Sequence, residues 1–422
     1  MTEDFLQFIW EQRLFETNNL ETTDGEKLEV VEPGTRNTDS GPDFFNAKIR
    51  IDSTLWVGNI EIHRNSSDWM RHHHNTDGAY DSIILHVVDN FDKPVHRKSG
   101  STIPALVLTY PAHILENYRQ LLAARTWIPC QARFHAIDPF VLKIGFNRLM
   151  IDRLQDKTTE ILERLALNQN NWNETFYQFL ARNFGFKTNA LPFELLAKSL
   201  PVSILGKHKN NLQQIEALLF GQSGLLNMEL FGDDYFLNLR AEYEFLSKKY
   251  RLKPVAGHLW KLLRLRPVNF PTVRIAQLAA LIHQSSGLFS EILETDQLTQ
   301  LQKLFDVRAS AYWDHHYKFS YPSKNSSKHL GDSAVNNLIV NTIVPFLFVY
   351  GEQNNKHFLK DRALEWLDQL PAETNSLIAK WEGLGVQPRS AFETQALLQL
   401  KNRYCSERRC LKCHVGNKII RL

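Results

Sequence analysis

Two short runs of strict alternation constrain this chain more than any other feature. In Lys48-Ile49-Arg50-Ile51-Asp52 the apolar side chains fall on odd numbers. In Trp56-Val57-Gly58-Asn59-Ile60-Glu61-Ile62-His63, Trp56, Ile60 and Ile62 share one face, and Asn59, Glu61 and His63 share the other. Successive side chains on a strand point to opposite faces, so a period of two marks strands with one buried face. The short Ser53-Thr54 connection predicts that the two runs form a hairpin. Asp43, in the turn Gly41-Pro42-Asp43, precedes the alternation, so parity does not place it. The hairpin brings it back towards the Glu61–His63 end.

The neighbouring segments extend this into a sheet. Leu28 to Val31 reads as a strand, Asp81 to Val88 is apolar on both faces like a central strand, and Ala105 to Thr109 adds another. Residues 3–15 and 110–125 read as helices. Residues 1–130 are therefore expected to form an α+β domain with a small mixed sheet. Beyond it the texture is mainly α-helical, with Pro201, Pro254, Pro267, Pro271 and Pro371 between or at the edges of helical patterns. Residues 131–400 are read as helical domain(s), with Phe346, Trp366 and Trp381 in the core, and 401–422 as a basic, cysteine-containing terminal segment. A chain of 422 residues suits roughly two to three domains.

Carboxylates converging at a sheet edge can hold Mg²⁺ or Mn²⁺, because hard cations prefer oxygen ligands. Asp43, Glu61 and His63 form such a cluster. Pro42-Asp43, followed after an interval by Glu61-Ile62-His63, resembles the PD-(D/E)XK nuclease motif. That resemblance implies a nuclease-like fold over about residues 1–110. It makes Asp43 and Glu61 metal ligands and puts His63 where a lysine should stand, with Lys48 as a substitute from the neighbouring strand. A helix-borne acid often completes such sites, and Glu11 is the candidate. Over nearly its full length the chain is also similar to an uncharacterised bacterial family defined as a domain of unknown function. The phrases GPDFFNAKI, GNIEIH, SDWMRHHH, RLRPVNFPTVRIAQLA and CLKCHVG carry that similarity.

Asp68, His72 and His74 lie in the loop that follows. The loop reads either as a polar loop anchored by Trp69, or as the source of His72 and His74, ligands that join His63 and Asp43 in a zinc-type site for hydrolysis of a small substrate. His86, inside an apolar strand, reads as a satisfied core histidine unless it lies near the site.

Cys405, Cys410 and Cys413 gather beside His414, and Cys130 lies apart. A distant cysteine and a compact trio could bind Zn²⁺ or an iron–sulfur cluster. The layout resembles the iron–sulfur staple of some PD-(D/E)XK nucleases, although here Cys130 follows the proposed active site instead of preceding it. A local site of Cys405, Cys410, Cys413 and His414 is the alternative.

Net charge is +3, unevenly spread. Residues 1–32 carry nine acids against Arg13 and Lys27, whereas 248–274 hold eight Lys/Arg and no acid. Tyr250, Trp260 and Phe270 interleave that basic stretch, which suits phosphate pairing and base stacking. Arg264, Arg266 and Arg274 are the expected phosphate contacts, and a helix with a solvated basic face is the alternative.

No phosphate-binding loop or dinucleotide fingerprint occurs, so no nucleotide cofactor is expected. No run of about 18 apolar residues suggests a membrane span. An acidic opening unlike a signal peptide, together with few cysteines, points to the cytoplasm. Three functions follow: a metal-dependent nuclease or phosphodiesterase, a non-catalytic nucleic-acid-binding or adaptor protein with a degenerate nuclease fold, or a small-substrate metallohydrolase. Oligomeric state is left open.

Overall fold

The computed structural model describes residues 2–227, 232–285 and 287–422. It divides into two compact units, Met1–Gly145 with Leu400–Leu422, and Phe146–Gln399. Two expectations are thereby corrected. The first boundary moves from 130 to 145, inside the helix Pro139–Leu167, and the C-terminal segment belongs to the first unit instead of standing alone.

The first unit is α+β. Its seven-stranded mixed sheet contains β1 (Leu20–Glu21), β2 (Lys27–Glu32), β3 (Thr35–Arg36), β4 (Phe44–Ile51), β5 (Thr54–Asn65), β6 (Ile83–Asn90) and β7 (Ala105–Val107). The expected hairpin is β4–β5, antiparallel, with Ile51 opposite Thr54. β2 pairs antiparallel with β4, β5 and β6 pair in parallel, and β7 continues in parallel. A parallel pair needs a crossover. Here it contains α2 (Asp68–Arg71) and the loop bearing the histidines.

Helix α1 (Glu3–Glu11) packs on β5 and buries Phe5, Leu6, Phe8, Ile9 and Trp10. Trp69, Ile83, Val95 and Ile103 form a separate apolar cluster under the crossover loop. Alternation predicts one solvated face on β5, yet Ile60, Glu61, Ile62 and His63 are all buried. Both faces of that end of the strand are covered, so its polar residues sit in a poorly solvated site.

The second unit is mainly helical, with one short strand pair (His316–Lys318 and Tyr321–Pro322), and its core includes Phe184, Phe220, Trp313, Phe346 and Trp366. One helical run, Asp332–Gln353 of 22 residues, is long and apolar enough to cross a membrane, and most of its apolar stretch is buried in the protein. A π-turn at Ile339–Ile343 precedes Pro345. Proline has no N–H for the carbonyl four residues back, and Asn183 Nδ2 donates to that Asn341 oxygen instead. The stretch 251–270 is mostly irregular with two short 3₁₀ turns, so the alternative reading of a basic helix does not hold there.

Candidate functional site

The site is built where β4 meets β5. Phe44 pairs with Ile60, but Ala47 pairs with Gly58, so β4 carries a bulge. Asn46 lies within it at φ 56°. A bulge inserts one extra residue and resets which face follows, which is why parity along β4 did not place Asp43. The restored register puts Asp43 opposite Glu61. The Asp43 N–H donates to Glu61 Oε2 at 3.2 Å, and the Ile62 N–H donates to Asp43 Oδ2 at 3.0 Å. From α1, Gln7 Nε2 donates to Asp43 Oδ1 at 2.8 Å.

Burial, then the neighbouring Glu61 charge, pushes the Asp43 carboxyl up to about 7. Burial pushes Glu61 up to about 8, against the lowering effect of the Asp43 N–H.

Four histidines converge on the same end of the sheet. Glu61 Oε1 lies 3.5 Å from His63 Nε2 and 3.3 Å from His74 Nε2. His63 Nε2 is 3.1 Å from His72 Nδ1, and His63 Nδ1 is 2.9 Å from His86 Nε2. Burial, then His86 and the other imidazoles, drives His63 down to about 2; burial takes His86 down to about 3 and lowers His74. His63 and His86 are therefore neutral at physiological pH.

Local chain geometry delivers His72 and His74 to this point. Helix α2 ends in a Schellman turn: the His74 N–H donates to Trp69 O and the His73 N–H to Met70 O. His73 takes the left-handed conformation that this motif requires at φ 61°. Trp69, fully buried, meets the His74 ring edge-on at 5.3 Å, and Tyr80 stacks on its face at 3.7 Å. The polar-loop expectation therefore gives way to a built cluster anchored by Trp69, and His86 is part of it. Asp68 is not. Its carboxylate accepts from the Asn65 N–H and pairs with Arg71.

Lys48 is a correction. It lies four residues along β4 from Phe44, about 13 Å at ~3.3 Å per residue, and its Nζ pairs with Glu32 at 3.0 Å. Glu11 is another: it faces Arg36 at 3.7 Å, whereas the α1 acid whose charge reaches Asp43, Glu61 and His74 is Glu3. The one-turn spacing of Glu3 and Gln7 on α1 was the available signal.

The cysteines also come together. Cys130, Cys410 and Cys413 are buried, and no disulfide joins any of the four. Burial and the charges of Cys413 and Cys410 push Cys130 up to about 12; Cys405 is raised by burial and then by Cys413, Cys130 and Cys410. The C-terminal segment is docked within its unit. Arg408 donates to the carbonyls of Leu121, Leu122 and Ala124, and Asn117 Nδ2 donates to Ile420 O at 3.1 Å. His414 packs on Gly145.

Among the basic-stretch residues, Arg264 and Arg266 are exposed, but Arg274 is only 7% exposed. Its guanidinium donates to Gln277 and Asn269 and lies over Phe186, which makes it an internal brace and unavailable to a phosphate. Trp260, expected as a stacking surface, is buried with its Nε1 donating to Ser223 O.

Neither the comparison with curated proteins nor that with solved structures returned a match. The sequence model of the family described as "Protein of unknown function (DUF2851)" matches residues 3–376, and the chain belongs to that family.

Proposed function

We propose that this chain is a metal-dependent nuclease or related phosphodiesterase centred on Asp43 and Glu61. The observation that carries the reading is the opposition of two carboxylates, Glu61 buried on β5 and Asp43 half-buried just before β4, beside the change from antiparallel to parallel pairing. Like charges in a poorly solvated site resist joint ionisation, and a divalent cation relieves both the repulsion and the desolvation. A helix on a sheet of three antiparallel strands, extended by a parallel fourth, supports the nuclease-like fold. So does the placement of Asp43 at the start of its second strand and of Glu61 on its third.

The donor set fits a divalent cation, with Asp43 and Glu61 supplying oxygen and the histidines supplying nitrogen. When bound, such a cation polarises a phosphate and acidifies a coordinated water. Gln7 and the Ile62 N–H orient Asp43, while the Asp43 N–H orients Glu61. His63 stands in the lysine position but is neutral, so it offers a lone pair and no charge. Exposed Arg264 and Arg266 are the nucleic-acid contacts that this reading assigns.

The test is cleavage of single- and double-stranded DNA and RNA by the purified chain with Mn²⁺ or Mg²⁺. Cleavage that disappears in Asp43→Ala and Glu61→Ala supports the reading. Binding without cleavage under either cation would replace it with a non-catalytic nucleic-acid-binding role.

We also propose that Cys130, Cys405, Cys410 and Cys413 hold a thiophilic metal, as zinc or an iron–sulfur cluster. The supporting observation is that Cys130 and the C-terminal trio, far apart in sequence, come within electrostatic reach inside one unit. Metal and sulfide analysis of anaerobically purified protein separates zinc from a cluster, and protein without either metal would overturn the proposal.

A further inference from the structure

The histidines around Glu61 have a geometry of their own, separate from the carboxylate pair. His63, His72 and His74 each offer one ring nitrogen, and these atoms all lie within 4.8 Å of one another. Three separations define the cluster: His63 Nε2 to His72 Nδ1 at 3.1 Å, His74 Nε2 to Glu61 Oε1 at 3.3 Å, and His63 Nε2 to Glu61 Oε1 at 3.5 Å. Ligands bound tetrahedrally at about 2.0–2.1 Å stand about 3.3–3.4 Å apart, and the His63–His72 separation of 3.1 Å comes close to that edge. Ordinary packing gives no reason for so many imidazole nitrogens and a carboxylate oxygen to face one another.

The surroundings point the same way. A neutral imidazole has one N–H and one lone pair. His63 Nδ1 lies 2.9 Å from His86 Nε2. If Nδ1 carries the hydrogen and donates it there, the Nε2 lone pair faces Glu61 and His72. A metal-bound histidine commonly has its second nitrogen engaged in this way, which sets its tautomer. His74 is held by the Schellman turn, by Tyr80 on its face and by Trp69 at its edge. His72 alone of the three is exposed, so one side of the cluster is open to solvent. Imidazole-rich sets select borderline transition metals over Mg²⁺, which favours oxygen.

We infer that the imidazoles of His63, His72 and His74 form a three-histidine site for a divalent transition metal of the zinc type, with Glu61 Oε1 beside His63 and His74. Asp43 is held against this site through Glu61, and His72 is the ligand on the solvent side. The inference deepens the hydrolase reading by naming the metal class and the ligating residues, and it rests on that reading only for its catalytic use.

The experiment is titration of the full-length, chelator-stripped chain with Co²⁺ and then Zn²⁺, followed by visible absorption. The expected result is the intense visible bands of four-coordinate Co²⁺, bleached by Zn²⁺. Thiolate-bound Co²⁺ adds sulfur-to-metal bands in the near ultraviolet, so the cysteines are told apart from the histidines. In His72→Ala, a change at an exposed position, the non-thiolate bands should be lost and the affinity lowered by at least about tenfold, with unchanged far-ultraviolet circular dichroism. Weak six-coordinate bands in the unmodified chain, or His72→Ala binding like it, would overturn the site.

The readout needs no substrate, so the two proposals fail separately. Four-coordinate Co²⁺ binding without cleavage of any nucleic acid supports the site and removes the nuclease. Mg²⁺-dependent cleavage without such binding leaves the nuclease and overturns the site.

Discussion

Asp43 and Glu61 face each other across adjacent antiparallel strands, and each carboxylate accepts a hydrogen bond from the other strand's backbone, at 3.0 and 3.2 Å. The pair is therefore fixed by main chain, and the side chains have little freedom to separate when charge builds up between them. That relationship, with the histidines beside it, sets most of what can be tested.

Glu61→Gln removes charge but keeps size. Under the nuclease reading it should lower metal-dependent cleavage by at least about 100-fold, since a catalytic cation supplies several kcal/mol of transition-state stabilisation. Cleavage kinetics with thermal melting as a folding control checks this, and a loss below tenfold would count against it.

His86 reaches the three-histidine site through His63, whose Nδ1 lies 2.9 Å from His86 Nε2. His86→Leu should leave the fold in place and weaken Zn²⁺ binding about 10- to 100-fold, the usual effect of losing a partner that orients a metal-bound histidine. Competition with a chromophoric chelator measures it. Unaltered affinity would show that His63 is oriented by packing alone.

His73 holds a left-handed backbone at φ 61°. His73→Gly should stabilise the chain slightly or leave it unchanged, because glycine adopts this conformation without strain. His73→Val should cost on the order of 1–3 kcal/mol and displace His72 and His74 together. Denaturant midpoints and Zn²⁺ affinity, measured on both variants, provide the check.

Glu216 provides a pH test away from the site. It is buried on the helix Leu212–Gln222, and burial raises its carboxyl to about 7 despite the nearby Ser310 and Tyr235 hydroxyls. Its Oε1 has no well-formed hydrogen bond. Below the ordinary carboxylate value both folded and unfolded chains keep the proton, and no penalty arises. As pH rises towards 7 the unfolded chain ionises first, so the folded state loses relative stability, by up to about 3 kcal/mol above pH 7. Glu216→Gln should therefore raise the melting temperature at pH 8 and leave it nearly unchanged at pH 4.

Cys410→Ser tests the C-terminal proposal. If a metal joins the trio to Cys130, the variant should lose that metal, and the segment 400–422 should become a preferred site of limited proteolysis. Equal metal content and equal proteolysis in the two proteins would remove the cysteine site.

Much of the first unit was legible in the sequence because its signals are local. The alternation at 48–52 and 56–63 predicts β4–β5, and the apolar run at 81–88 predicts β6. Parity alone put Glu61 and His63 on one face. The charge pattern was less informative. The same eight basic residues include the exposed Arg264 and Arg266 and the buried Arg274, because composition does not say which guanidinium finds Gln277 and Asn269 inside the protein.

What the sequence by itself determined is the five longer strands of the sheet, though not the two-residue strands Leu20–Glu21 and Thr35–Arg36, the shared face of Glu61 and His63, and the family. Those properties depend on residues a few positions apart, through backbone periodicity and turn chemistry. The tertiary structure alone decided that a bulge at Asn46 sets Asp43 opposite Glu61, and that parallel pairing brings His86 beside Glu61. It also decided that the turn after α2 aims His72 and His74 at His63, and that Cys130 shares a unit with the C-terminal cysteines. Each of these is a proximity between distant residues, set by strand register and packing, and no periodicity in the chain records them.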